Sequence, residues 1–405
     1  MSEWVVKRLD EVADRVAVKN AAGYQRVLTV AAGQGLVDQE TYFNKRVASA
    51  NLSGYWVVQP GDFVYNKSTS LDAPWGVVAR WDGDEPAVVT TLYIVFRPRP
   101  GIEADYLLRA CNGAFFFDSL RGTLREGARA HGLLNVRLGE FFGAKVALPP
   151  VADQRRIVDV MTAVDAQIDA LEEEAERLHV VTRLRRAGLV NDDTVDEVRA
   201  EEAFDFSAGV RRTPDRASGP HMTPYLRSAN VGYGILNLSD VLLMNYEPHE
   251  REKFGLRYGD VLVSEGSASA KAVGMPAMWR NDLPPPVCFQ MTLLRLRAIG
   301  GVCVPDFAFQ WCMWAYESGR FLDVAGGTSI KHISAKRSSK MPVRLPPVER
   351  QREVAEELNA LDAELDSARA ELGHLRTFRS RFLSSLLNRE FEIPESYDEM
   401  LETAS

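Results

Sequence analysis

Two corresponding stretches of this 405-residue chain gather cations, hydroxyls and amides. Lys331, His332, Lys336, Arg337 and Lys340 fall within ten residues of one another, interleaved with Ser329, Ser334, Ser338 and Ser339. Arg121, Arg125, Arg129, His131, Asn135 and Arg137 occupy the matching stretch of the first half. Lysine and arginine neutralise phosphates, hydroxyls and backbone N–H groups fix register, and arginine or asparagine can pair with base edges in the major groove. A second tier comprises Lys67 within Tyr65-Asn66-Lys67-Ser68, Arg227 with Asn230 and Tyr233, and Lys271 with Ser264 and Ser267. These residue types in this grouping suit contact with a polyanion.

Catalytic patterns are missing. The chain has no Gly-x-x-x-x-Gly-Lys-Ser/Thr loop, no Asn/Asp-Pro-Pro-aromatic motif and no His-Glu-x-x-His, and both Pro-Pro pairs at the repeat junctions follow leucine. No catalytic residue, cofactor or metal site is expected. Gly232-Tyr233-Gly234 lacks the strand-to-helix context of a phosphate cradle and reads as a turn. Trp311, Trp314 and Phe307 have helical spacing with no alternating cation, so they read as core and not as a base-stacking platform. Cys111, Cys288, Cys303 and Cys312 form no CxxC pair, which predicts reduced thiols and no zinc.

The elements that position these residues come in duplicate. Leu148-Pro149-Pro150-Val151 recurs as Leu345-Pro346-Pro347-Val348, and Gln154, Arg155, Asp165, Ala166, Asp169 and Leu178 recur as Gln351, Arg352, Asp362, Ala363, Asp366 and Leu375 at one fixed offset. The correspondence continues with slight drift through Tyr24 to Val30 against Tyr225 to Val231, and Gly61-Asp62-Phe63-Val64 against Gly259-Asp260-Val261-Leu262. A repeat of this length is a duplicated domain, and two related modules in one chain bind two of something. Strand-like runs (Gly76 to Trp81, Val88 to Phe96, Asp260 to Val263, Thr292 to Leu296) lie between turn clusters, so each module is mixed α/β.

After each Pro-Pro pair, apolar residues step by four and three. The first seam runs Ile157, Met161, Val164, Ile168, Leu171, Ala175, Leu178; the second runs Val354, Leu358, Leu361, Leu365, Ala368, Leu372, Leu375. These heptads predict two long helices, rods of roughly 55 Å at 1.5 Å per residue. A narrow seam needs a partner, and the equivalent seam belongs to the other copy. The division that follows is a first module at 1–150, a helix at 151–190, an acidic hinge at 191–203, a second module at 204–347, a helix at 348–388 and an acidic tail at 389–405.

The net charge of −8 is uneven. Residues 151–203 and 348–405 each hold 14 acidic against 7 basic residues, whereas residues 204–347 hold 17 basic against 12 acidic. The modules, not the helices, therefore suit a polyanion. No apolar run approaches signal-peptide or membrane-spanning length, so a cytoplasmic protein with no membrane contact is expected.

Taken together, Gly259-Asp260-Val261-Leu262, then Gly327-Thr328-Ser329-Ile330 with Ile333, then Leu345-Pro346-Pro347-Val348-Glu349-Arg350-Gln351 and its heptad helix resemble the target-recognition module of type I restriction-modification specificity subunits. The opening Trp4-Val5-Val6-Lys7-Arg8-Leu9-Asp10-Glu11-Val12 does so too, and the likeness covers nearly the whole chain. It departs where the first module has Ala130-His131-Gly132-Leu133 in place of Gly327-Thr328-Ser329-Ile330. The resemblance implies two target-recognition domains alternating with two helices that pack as an antiparallel coiled coil, giving pseudo-two-fold symmetry. It implies a non-catalytic subunit that reads a bipartite duplex DNA site, one half per domain, with the helices setting the gap. Two methyltransferase subunits dock on such a subunit, and restriction motor subunits are further candidate partners. Two rivals are a two-site protein scaffold with a coiled-coil spacer, and a nuclease or methyltransferase with an unrecognised site. Salt-sensitive binding to duplex DNA separates the first from the specificity subunit, and S-adenosylmethionine binding by the isolated chain would favour the second.

Overall fold

The structure, a computed structural model, describes residues 4–31, 34–68, 74–123, 129–130, 133–134, 136–267, 269, 271–327 and 331–399. It divides into two units, residues 1–170 with 372–405 and residues 171–371, so the boundary falls inside each of two 40-residue helices, Val151–Val190 and Val348–Leu387.

In the first unit, strand Val5–Arg8 pairs antiparallel with Lys145–Leu148, the strand that runs into Pro149. A four-stranded antiparallel sheet follows in the order Ala13–Val16, Ile94–Pro98, Phe63–Asn66, Val77–Arg80. The second unit repeats the plan: Glu197–Arg199 pairs with Pro342–Arg344, and the sheet order is Phe204–Ala208, Leu293–Ala298, Val261–Ser264, Pro276–Met278. Helix Ala104–Cys111 in the first and helix Pro305–Glu317 in the second pack their apolar residues into the cores. The expected run from Val88 to Phe96 is two strands, Ala87–Val89 and Ile94–Pro98, parted by a turn in which Tyr93 N–H donates to Thr90 C=O.

The repeated motifs turn out to be structural joints. Gly61 and Gly259 adopt φ of +85° and +87°, a region that L side chains rarely enter. The aspartate that follows is fully buried in each case. Asp62 accepts from Gln59 N–H and from the Arg97 guanidinium; Asp260 accepts from Arg257 N–H and the Arg297 guanidinium. The glutamine of Leu-Pro-Pro-x-x-x-Gln is buried too. Gln154 accepts from Glu103 N–H at 3.0 Å and donates to Pro149 C=O at 2.8 Å, while Gln351 accepts from Val304 N–H at 2.9 Å and donates to Pro346 C=O at 2.8 Å. Each side chain ties the start of a long helix to the residue just before its module's core helix, filling backbone hydrogen-bonding needs that helix ends leave open.

The seam residues are buried at Ile157, Met161, Ile168, Val354, Leu358, Leu365 and Leu372 and half-buried at Val164, Leu171, Leu178, Leu361 and Leu375. Beyond pairing with each other, the helices send the ends of their seams into the module cores. In the first unit Ile157 and Met161 join Leu386 and Leu387 in a core with Phe63, Phe96, Tyr106, Phe116 and Phe141. In the second, Val190, Val354 and Leu358 join Phe204, Phe307, Trp311 and Phe321. A large apolar side chain contributes about 1.5–3 kcal/mol when fully buried, so the module cores hold the seam ends strongly. Within each unit the helices run antiparallel: Asp165 pairs with Arg379 in the first, and in the second Arg185 with Glu357 and His179 with Arg369.

The hinge expected at 191–203 is also corrected. Glu197–Arg199 is a paired strand, and the following turn of helix buries Ala200 and Ala203 completely while Glu202 accepts from Arg199 N–H. One of its acids, Glu202, caps a short helix that packs in the second module's core. The tail is docked as far as it is described: both carboxylate oxygens of Asp398 accept from Arg156, at 2.8 and 2.7 Å. Cys111, Cys288, Cys303 and Cys312 are all buried and unbridged. Among the described residues no helix is long and apolar enough to cross a membrane.

Candidate nucleic-acid interface

In the second module the central strand Val261–Ser264 runs on through Glu265 into a two-residue strand, Gly266–Ser267, which pairs antiparallel with Lys331–His332. The helix turn Ala335–Ser338 follows, capped by the Ser334 hydroxyl, which accepts from Arg337 N–H. Two glycines make this corner possible. A Cβ on Gly266 would lie 2.2 Å from His332 Nδ1, and one on Gly326 would lie 2.4 Å from Arg337 Nη1. Arg337, itself exposed, uses its guanidinium to donate to His332 C=O at 2.9 Å and so braces the corner. Lys331, His332, Lys336 and Lys340 are exposed around it, and the three lysines have no ion-pair partner among the described residues. This is a compact corner of exposed cations.

The first module has the same corner in outline. Its central strand Phe63–Asn66 runs on into Lys67, whose C=O accepts from Leu134 N–H at 3.0 Å in the short ribbon Arg129–Ala130/Leu133–Leu134. The counterpart in the second module is Ile333 N–H donating to Glu265 C=O at 2.9 Å. Arg137 is exposed just before the helix Leu138–Phe142, in the place of Ser334. Arg125, His131 and Asn135 lie outside the described residues, as does the side chain of Arg129.

The remaining predicted residues separate. Arg121 is exposed but sits 3.5 Å from Asp118 and over the Trp75 ring. Arg227 is committed internally: it donates to the Asp240 carboxylate at 2.7 Å and to Asp240 C=O at 3.0 Å. Lys271 is exposed after the ribbon, its C=O accepting from the Tyr316 hydroxyl. Trp311, Trp314 and Phe307 are core, and Gly232 closes a turn by donating to Ile235 C=O.

Sequence reasoning missed Glu265 and a buried polar lock. Arg186, fully buried, donates to Gln310 at 2.8 Å and pairs with Glu317 and Asp362; Gln310 in turn donates to Asn359 and Asp362, and the Tyr233 hydroxyl donates to Glu317. Burial works against the Arg186 charge, but Asp362 and Glu317 outweigh it and its pKa is raised. Burial raises the Glu317 carboxyl despite Arg186. In the first module Asp165 plays the part of Asp362, accepting from Arg109 and Arg379. The shared offset of Asp165 and Asp362 was the available signal. No group of metal-ligating residues occurs among the described residues.

The specificity subunit of the type I restriction enzyme EcoKI from Escherichia coli K12 is 21% identical over 316 residues, 73% of this chain and 67% of that protein. A chain solved in a study of complex assembly and conformational transition in a type I restriction-modification system superposes with a TM-score of 0.62 at 17% identity, over 95% of this chain and 97% of the other. The S subunit of a type I restriction-modification system from M. genitalium gives 0.51 at 14% identity, over 95% and 96%. No family model matches. At these identities the structural likeness bears on the fold.

Proposed function

We infer that this chain, a homologue of a type I restriction enzyme specificity subunit, is itself the DNA-specificity subunit of such a complex. It is non-catalytic, works in the cytoplasm, reads a bipartite duplex site with its two modules and docks two methyltransferase subunits on its helical parts; restriction motor subunits are further candidate partners. What supports this most is the recurrence of one corner, in which the residue after the central strand accepts a backbone hydrogen bond from the returning segment, beside Arg137 in the first module and Lys331, His332, Lys336 and Lys340 in the second. Cations that are held out, unpaired, on a rigid strand end are free to neutralise phosphates. The DNA contacts are assigned to Lys67 and Arg137 in the first module and to Lys331, His332, Lys336 and Lys340 in the second, with Arg337 in support.

The test exchanges residues 204–344 for the equivalent module of a relative and maps DNA methylation by the assembled complex. One half of the recognised site should change and the other should not. A change in both halves, or methyl transfer by the chain without its partners, contradicts the reading.

A further inference from the structure

Glu265 is an acid where the surroundings call for a base. It lies between the fully buried end of the central strand and the ribbon that carries Lys331 and His332, and it is half-buried. Its backbone is fully used: its N–H donates to Thr292 C=O and its C=O accepts from Ile333. Its carboxylate has no hydrogen bond or ion pair among the described residues, and the charge acting on it is that of the His332 imidazole when protonated. Burial raises its pKa, as expected for a carboxylate losing water without gaining a partner. For phosphate binding alone, such a group is adverse on two counts. It loses hydration, and it repels the backbone that Lys331, Lys336 and Lys340 attract.

The first module places Lys67 at the same point. Asn66 and Ser264 end equivalent strands, and the next residue in each module offers its C=O to the segment that returns from the ribbon. Lys67 is half-buried and has no ion pair among the described residues. One position at the tip of the central strand thus carries a donor in one module and an acceptor in the other. In the major groove, guanine presents acceptors at O6 and N7, and cytosine presents a donor at N4; lysine suits the first and an acid the second.

We propose that Glu265 and Lys67 are base-reading, specificity-determining residues, Glu265 accepting from a cytosine amino group in one half-site and Lys67 donating to a guanine in the other. This rests on the specificity-subunit reading. The acid also acts against wrong sequences: where no amino group meets it, it stays buried, unpaired and close to phosphates, which weakens binding there.

The experiment uses the complete complex with methyltransferase subunits and a pool of randomised duplexes, comparing wild type with Glu265→Gln and with Lys67→Glu. Glutamine keeps the shape, so the fold is retained. Glu265→Gln should lower affinity for the selected site about tenfold or more while binding to unselected duplex is unchanged or tighter. The base preference should shift at one pair of one half-site, and Lys67→Glu should shift one pair of the other half only. An equal loss on selected and unselected DNA would mean a merely structural role and overturn the proposal, as would unchanged preferences in both variants. If the wild-type complex selects no sequence at all, the specificity-subunit reading falls and takes the proposal with it; wild-type selection that Glu265→Gln and Lys67→Glu leave intact sinks the proposal alone.

Discussion

Arg186 offers the sharpest test of the scaffold, because three elements of the second unit converge on one guanidinium. Replacing it with methionine keeps the stem's volume and removes the charge. Glu317, whose side chain is 6% exposed, would keep only the Tyr233 hydroxyl, and Asp362, 23% exposed, would keep only the Gln310 amide. Stranding a buried charge in this way costs about 3–5 kcal/mol. The lower end applies here, since Glu317 already sits above the usual carboxylate range and can relieve its isolation by taking a proton. A carboxyl raised in the folded state gains stability as pH falls, so the variant's deficit should shrink as pH is lowered from neutral. A loss of about 3 kcal/mol corresponds to roughly 150-fold faster exchange for amides of Pro305–Glu317 that open with the unit. Hydrogen exchange read by peptide measures this in the second unit without interference from the first. Adding Glu317→Gln should recover part of the loss, because it removes the stranded charge. A change under about fivefold, with the double variant no better than the single, would refute the argument that the lock depends on charge.

Replacing Lys331, Lys336 and Lys340 with alanine should weaken binding to all duplexes and reduce the salt slope by about 0.9 for each phosphate that is no longer neutralised, measured by titration at several salt concentrations. Glu250 should govern part of the acid limb of stability: bidentate pairing with Arg216, at 2.8 and 2.7 Å, holds its carboxyl at about 2. A folded pKa lowered in this way gives stability that is present above the unfolded value of about 4.3 and lost as pH falls toward 2, so Glu250→Gln should flatten the unfolding profile in that window.

Much of the fold was legible because duplication writes each structural demand twice. Gly61-Asp62 and Gly259-Asp260 recur since a left-handed glycine and a buried aspartate are both needed to anchor the central strand. Gln154 and Gln351 recur since the backbone groups they satisfy recur. Composition was a poorer guide. The acids of residues 191–203 suggested a hinge, yet Ala200 and Ala203 are buried and Glu202 serves as a cap. The apolar seam likewise stops being apolar after Leu178: Thr182 and Arg186 continue it as buried polar residues, invisible to a search for hydrophobic spacing.

The interface shows the same limit from the other side. A search for cations finds Lys331, Lys336 and Lys340, but it also collects Arg227 and Arg337, whose guanidinium groups already donate to Asp240 and to the His332 carbonyl. What distinguishes a reading residue from a structural one is an absence of internal partners at a rigid position, and that is a property of geometry, not of residue type. Glu265 meets the criterion though its charge is wrong for phosphate, and Lys67 meets it at the equivalent strand end. Where two modules keep the same backbone hydrogen bond and exchange the sign of the side chain beside it, the fold gains nothing from the exchange. On the proposal that these strand ends read bases, complementary base edges are a ligand that calls for opposite signs on one frame.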